Sequence, residues 1–140
     1  MNARKAPSKK AKFHWTNFRD NARAHLSDAE NKLVLLEDRG NAKGIAADAV
    51  LAAIGYGDAL TVQRSNVHNA NDHGALPKLV ATALGKDSDQ AQLERLGRIL
   101  QRKNEAQYGG TSWSREDAEQ YLEQVRRFAR WAERMLAEME

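Results

Sequence analysis

The chain has 140 residues, a formal net charge of +3, no cysteine and only two prolines. That length suits one domain with a continuous buried core, and the missing cysteines exclude disulfides, thiolate metal sites and thiol nucleophiles. Recurrent alanine, leucine, glutamate, arginine and glutamine favour an all-α protein, expected to be soluble and cytoplasmic because no uninterrupted apolar run reaches the roughly 20 residues of a membrane span and no apolar stretch of a secretory signal follows the basic N-terminus.

The charge is unevenly distributed. Residues 1–12, MNARKAPSKKAK, hold Arg4, Lys5, Lys9, Lys10 and Lys12 without an acid, so the other 128 residues carry a net −2. Such a segment has too little apolar surface to offset its ordering entropy and is expected to be a disordered basic tail, with residues 13–140 forming one helical-bundle domain. Lys9 and Lys10 can bind phosphate backbones through salt-sensitive contacts, although a short basic terminus serves equally well as a solubilising segment.

From there the apolar residues fall at helical spacing. Trp15, Phe18, Ala22, Leu26, Ala29, Leu33 and Leu36 form one stripe, which predicts a helix over about 16–39 ending at Gly40. The segment from Ala42 to Arg64 is apolar around most of its circumference, as a central bundle helix should be. Its glycines, Gly44, Gly55 and Gly57, weaken the helix unless they permit close packing, and close packing is the expected reason for them.

SNVHNANDHG, residues 65–74, has the composition of a turn or loop. A short helix over about 75–84 then ends at Gly85. Ser88 or Asp87 is expected to cap the next helix, whose stripe Ala91, Leu93, Leu96, Ile99 and Leu100 runs on to about Gln107. Gly109 and Gly110 can end that helix after Tyr108 with a left-handed cap. Ser114, three residues before Asp117, predicts the N-cap of the last helix. That helix should bury Ala118, Leu122, Val125, Phe128, Ala129, Ala132 and Leu136 as far as about Ala137. Four long helices and one short one with short connections make an antiparallel bundle of four to five helices.

Few residue clusters carry a clear chemistry. The histidines are His14, His25, His68 and His73, and no pair has the i, i+4 spacing with an adjacent acid that a helical zinc site uses. Neither a metal nor a cofactor is expected. Asp58, Arg64, His68, Asp72 and His73 gather around the end of the second helix and its loop. Histidine beside carboxylate suits acid–base work, but Asp72 capping a turn with His73 at a helix end is the simpler explanation of that dipeptide. Arg95, Arg98 and Arg102 share one helix face, where planar guanidinium groups suit phosphate oxygens. Glu94 and Glu105 lie among them, and a solvated face with ordinary ion pairs accounts for the same pattern.

The order AAIGYGDAL, DHGALPKLV, LGRILQRKNEAQYGG and SREDAEQYLEQVRRFARWAERML resembles the HEPN family over roughly residues 16–138. The resemblance implies an antiparallel helical bundle that dimerises. Many members are metal-independent ribonucleases of toxin–antitoxin, CRISPR or phage-defence systems, and others are non-catalytic partners of nucleotidyltransferases. Tyr56 matches the aromatic of the second helix, His73 the histidine after the loop, and Arg102 with Tyr108 the end of the later helix. In cleaving members a histidine follows the arginine by a few residues, but here Gln107 and Tyr108 stand at that spacing from Arg102.

The resemblance therefore implies a non-catalytic module that binds RNA or a partner protein, such as a nucleotidyltransferase-type antitoxin, and works as a homodimer. The alternative is a degenerate ribonuclease in which Arg102 stabilises phosphorane charge, His73 acts as base and Tyr108 donates a hydrogen bond, with Arg64, Arg95, Arg98, Lys9 and Lys10 contacting RNA. A purely structural oligomeric bundle is the second alternative.

Overall fold

The computed structural model describes residues 8–37, 40–69, 72–108 and 110–139. Their dominant structure is helical, and the described elements assemble as an all-α bundle with one small two-stranded ribbon. The first helix, α1 (Trp15–Leu35), ends short of the expected boundary. Leu36 turns to an extended conformation, and its side chain packs against the core. Arg115 Nη2 fixes that turn by donating to the Leu36 carbonyl at 2.6 Å. Asp38 and Arg39, which the expected helix included, lie outside the described residues.

The second helix, α2 (Lys43–Ser65), is the centre of the bundle and packs on α1 and on the later helices α3 (Leu76–Leu84), α5 (Lys103–Gln107) and α6 (Arg115–Glu138). It is long and apolar enough to cross a membrane by composition alone, but 78% of its most apolar window is buried inside the bundle. Side-chain pairs set the helix directions. Ala22 faces Gly55 while Lys32 reaches Asp48, so α1 and α2 are antiparallel. Arg23 with Glu133 and Arg126 with Glu30 make α1 and α6 antiparallel as well. Consequently α2 and α6 run in the same direction across the core.

Two glycines of α2 hold close contacts. A Cβ on Gly55 would lie 2.9 Å from Ala22 Cβ, and one on Gly57 would lie 2.6 Å from Leu76 Cδ2. Gly44 differs: only the Lys32 side chain comes as near as 3.8 Å, so packing does not require glycine there.

The fourth expected helix is divided into α4 (Gln90–Gln101) and α5, with Arg102 in a non-helical conformation between them. Asp89, rather than Ser88 or Asp87, caps α4 by accepting from the Gln92 N–H at 3.2 Å. α5 closes on an extended Tyr108, whose N–H bonds to the Asn104 carbonyl at 2.8 Å. Of the two glycines expected to form a left-handed cap after Tyr108, Gly110 does not have a positive φ, and Gly109 lies outside the described residues. At the start of α6, Ser114 accepts from the Asp117 N–H at 3.0 Å, and the apolar stripe from Ala118 to Leu136 is buried as expected.

The ribbon is the feature that helical periodicity did not anticipate. Its strands β1 (Ser8–Lys10) and β2 (Val67–Asn69) pair antiparallel, with Lys9 opposite His68. Residues 8–10 thus form a strand within the segment expected to be disordered, because the loop after α2 offers a backbone edge that satisfies their hydrogen-bonding groups. Residues 1–7 lie outside the described residues.

Candidate functional site

Arg102 stands at the break between α4 and α5, where its N–H bonds to the Ile99 carbonyl at 3.3 Å and its own carbonyl accepts from Ala106 at 3.0 Å. The side chain leaves the helix axis there and lies over the Trp113 indole, with Cζ 4.2 Å from the ring centroid, and 5.8 Å from that of Tyr121. Such a cation over an aromatic face is attracted by the ring quadrupole. Trp113 is itself anchored, donating Nε1–H to the Glu105 carbonyl at 3.1 Å, and Tyr121 donates its hydroxyl to the Ile99 carbonyl at 2.7 Å. Glu105 also accepts from Arg102 Nε at 3.0 Å.

Arg98, Arg102, Gln120, Tyr121 and Gln124 line a shallow groove of about 350 Å³ between α4 and α6. Arg98 is exposed and has no hydrogen bond or ion pair among the described residues. Arg95 supports the groove wall, donating to Gln124 at 3.0 Å and Gln92 at 2.9 Å. The groove therefore offers one free guanidinium and one held on an aromatic platform, beside two carboxamides.

Among the described residues no hydrogen bond, ion pair or ring contact joins Arg102 to Tyr108 or His73. Tyr108 is 62% exposed, and Lys103 Nζ lies 5.6 Å from its ring centroid. His73 opens a 3-10 turn, His73–Ala75, ahead of α3. Burial lowers its pKa, the charges of Lys103 and His68 push the same way, and Asp72 opposes them. Lys103 is thus the element common to Tyr108 and His73. Gln107, at the spacing where cleaving HEPN members carry histidine, buries Oε1 without a hydrogen-bond partner.

Arg64 is placed differently from the expectation. Its side chain is 7% exposed and donates to the Met135 carbonyl at 3.0 Å, Asp87 at 3.4 Å and Gln63 at 3.4 Å. Its bond to the Met135 carbonyl ties α2 to the end of α6, and the half-exposed Asp87 is a further partner of the guanidinium. Lys9 and Lys10 are exposed on β1.

A second cluster lies under the ribbon. Nε2 of His68 is 3.3 Å from Oδ2 of Asp58, and the imidazole packs on Phe18 with ring centroids 4.8 Å apart. Asp58 is 6% exposed and its Oδ1 has no partner. Burial pushes its carboxyl up to about 7, while burial and the nearby Lys9 charge lower the His68 pKa. Sequence reading gathered Asp58 and His68 with Arg64, Asp72 and His73 around the end of α2, and the folded chain pairs Asp58 with His68. The available signal was one carboxylate inside the apolar run AAIGYGDAL.

His25, Asp28 and Asp48 bring potential metal-ligand atoms within 4.8 Å of one another. Lys32 Nζ lies 2.7 Å from Asp48 Oδ2, so a cation there would compete with an ammonium group already in place. Compared with protein-family models, curated proteins and solved structures, the chain matches none at a significant level.

Proposed function

We propose that this chain is a HEPN-like helical module that binds RNA without cleaving it, as a homodimeric component of a toxin–antitoxin or phage-defence assembly. The supporting observation is Arg102 held over Trp113 beside the unpaired Arg98, at the rim of an open groove with amide walls. Guanidinium groups suit phosphate oxygens, and carboxamides suit ribose and base edges. No described contact brings His73 to Arg102, and neither Gln107 nor Tyr108 supplies an imidazole. A nucleotidyltransferase-type antitoxin is the partner that the HEPN resemblance suggests.

RNA binding measured across a salt series tests this reading. Arg98→Ala with Arg102→Ala should weaken binding and flatten its salt dependence by about two phosphate contacts. The effect should persist in a chain lacking residues 1–12. Arg102-dependent RNA cleavage would instead favour the degenerate ribonuclease, a reading supported by the lowering of the His73 pKa through burial and the Lys103 charge.

A further inference from the structure

The pocket under the ribbon is separate from the α4–α6 groove and has a different composition. It encloses about 610 Å³, within the usual range for small-molecule sites. Lys9 and Lys12 supply two ammonium groups, Asn17 and Asn21 two carboxamides, and His68 an imidazole ring. Phe13 stands at the pocket 63% exposed, an apolar ring that the core does not use. Phe18 lies against the His68 imidazole on the same side.

We propose that this pocket binds a small molecule carrying a phosphate monoester beside a planar ring, with Lys9, Lys12 and His68 on the phosphate and Phe13 against the ring.

The charge arrangement supports this ligand class. Asp20 is the acid on the pocket wall, and it is paired with Arg19 at 3.1 Å. Asp58 sits behind His68 rather than at the surface, and burial raises its pKa to about 7, so both protonation states are populated near neutrality. The proton held by the pair has two positions. On Asp58 it is donated to Nε2 of a neutral imidazole. On His68 it leaves an imidazolium facing an arriving phosphate, with the Asp58 carboxylate behind it. The His68 side chain makes no other hydrogen bond among the described residues, which leaves Nδ1 without a protein partner. Binding an anion favours the second arrangement without any proton entering from solvent. An aromatic ring and two lysines together distinguish such a ligand from inorganic phosphate, because the ring contributes only when it is covalently attached to the anion.

Calorimetry on the full chain with phenyl phosphate as probe tests the assignment, using inorganic phosphate and phenol as separate arms. Phenyl phosphate should bind at least about tenfold more tightly than either. Lys12→Ala and His68→Gln should each weaken it by about tenfold or more, whereas Lys86→Ala, on an exposed turn outside the pocket lining, should not. Lys12 is exposed, so its variant keeps the test independent of folding. Equal affinity for inorganic phosphate, unchanged binding in the Lys12 variant, or no heat at about 10 mM probe would each overturn the proposal. Displacement of the probe by a single-stranded oligoribonucleotide would also overturn it, by assigning the pocket to the RNA surface. Loss of RNA binding in the groove variants with probe binding intact would leave the two sites separately established.

Discussion

Asp58 Oδ2 lies 3.3 Å from His68 Nε2, and this pair couples the fold to pH. Burial raises Asp58 from 3.8 to about 7, so above pH 4 the folded chain keeps a proton that the unfolded chain has released. Its contribution to stability is fully present below about pH 4, falls by up to about 1.4 kcal/mol per pH unit and is gone above about pH 7. His68 acts in the opposite sense, since its lowered folded pKa makes stability rise with pH up to about 6.5. Between about pH 6.5 and 7 the remaining fall in stability comes from Asp58 rather than from His68. Urea unfolding across pH 4–8 should therefore show Asp58→Asn gaining on the parent chain as pH rises. A difference that stays constant with pH would show that Asp58 titrates normally.

The α1–α2 contact gives a test of packing. Gly55→Ala places a methyl 2.9 Å from Ala22 Cβ and 3.2 Å from its Cα, where only backbone movement can relieve it. Overpacking of this kind costs about 1–3 kcal/mol. Gly44→Ala meets only a flexible lysine at 3.8 Å and should instead stabilise by up to about 1 kcal/mol through helix propensity. Opposite signs in chemical denaturation would attribute the difference to interhelical space, while equal losses would attribute it to the glycines' backbones.

Glu133 joins three helices. It accepts from Arg23 Nε at 2.6 Å and Nη2 at 2.7 Å, and from the buried Tyr56 hydroxyl at 2.8 Å. The Arg23 hydrogen bond lowers the Glu133 pKa most, burial opposes it, and Tyr56 adds in the same direction as Arg23. A depressed carboxylate stabilises the fold above its unfolded pKa and loses that contribution as pH falls through the folded value. A double-mutant cycle of Tyr56→Phe and Glu133→Gln should give a coupling of about 1–3 kcal/mol at pH 7. The coupling should shrink on acidification. Undiminished coupling at acid pH would assign it to packing rather than to the charged hydrogen bond.

Periodicity made the helices legible because burial repeats every three or four residues, as in the α6 stripe from Ala118 to Leu136. Glycine placement also carried information, since Gly55 and Gly57 mark close helix contacts. The β1–β2 pairing was not legible, because strand register depends on two segments separated by α1 and α2 and neither segment alternates strongly. The break at Arg102 was not legible either, because the Trp113 and Tyr121 rings that its side chain lies over there are distant in sequence. Arg64 shows the limit of composition, because the same guanidinium can seek phosphate or internal carbonyls, and only the fold shows that Met135 supplies one.

Arg102 allows function and stability to be separated. Its ion pair with Glu105 joins two side chains that are 45% and 53% exposed, so solvent screens the attraction. The stacking on Trp113 adds about 0.5–1 kcal/mol at such a site. Arg102→Gln should therefore change unfolding stability by no more than about 1 kcal/mol, while RNA affinity falls and its salt slope flattens by about one phosphate contact. Arg102→Lys should keep much of the salt slope but lose affinity, because an ammonium keeps the charge but lacks the planar fork that stacks and bonds bidentately. Thermal unfolding alongside RNA titration at two salt concentrations reads both effects. Full RNA affinity in Arg102→Gln would remove Arg102 from the interface, and a large stability loss would make it a structural residue of the α4–α5 junction.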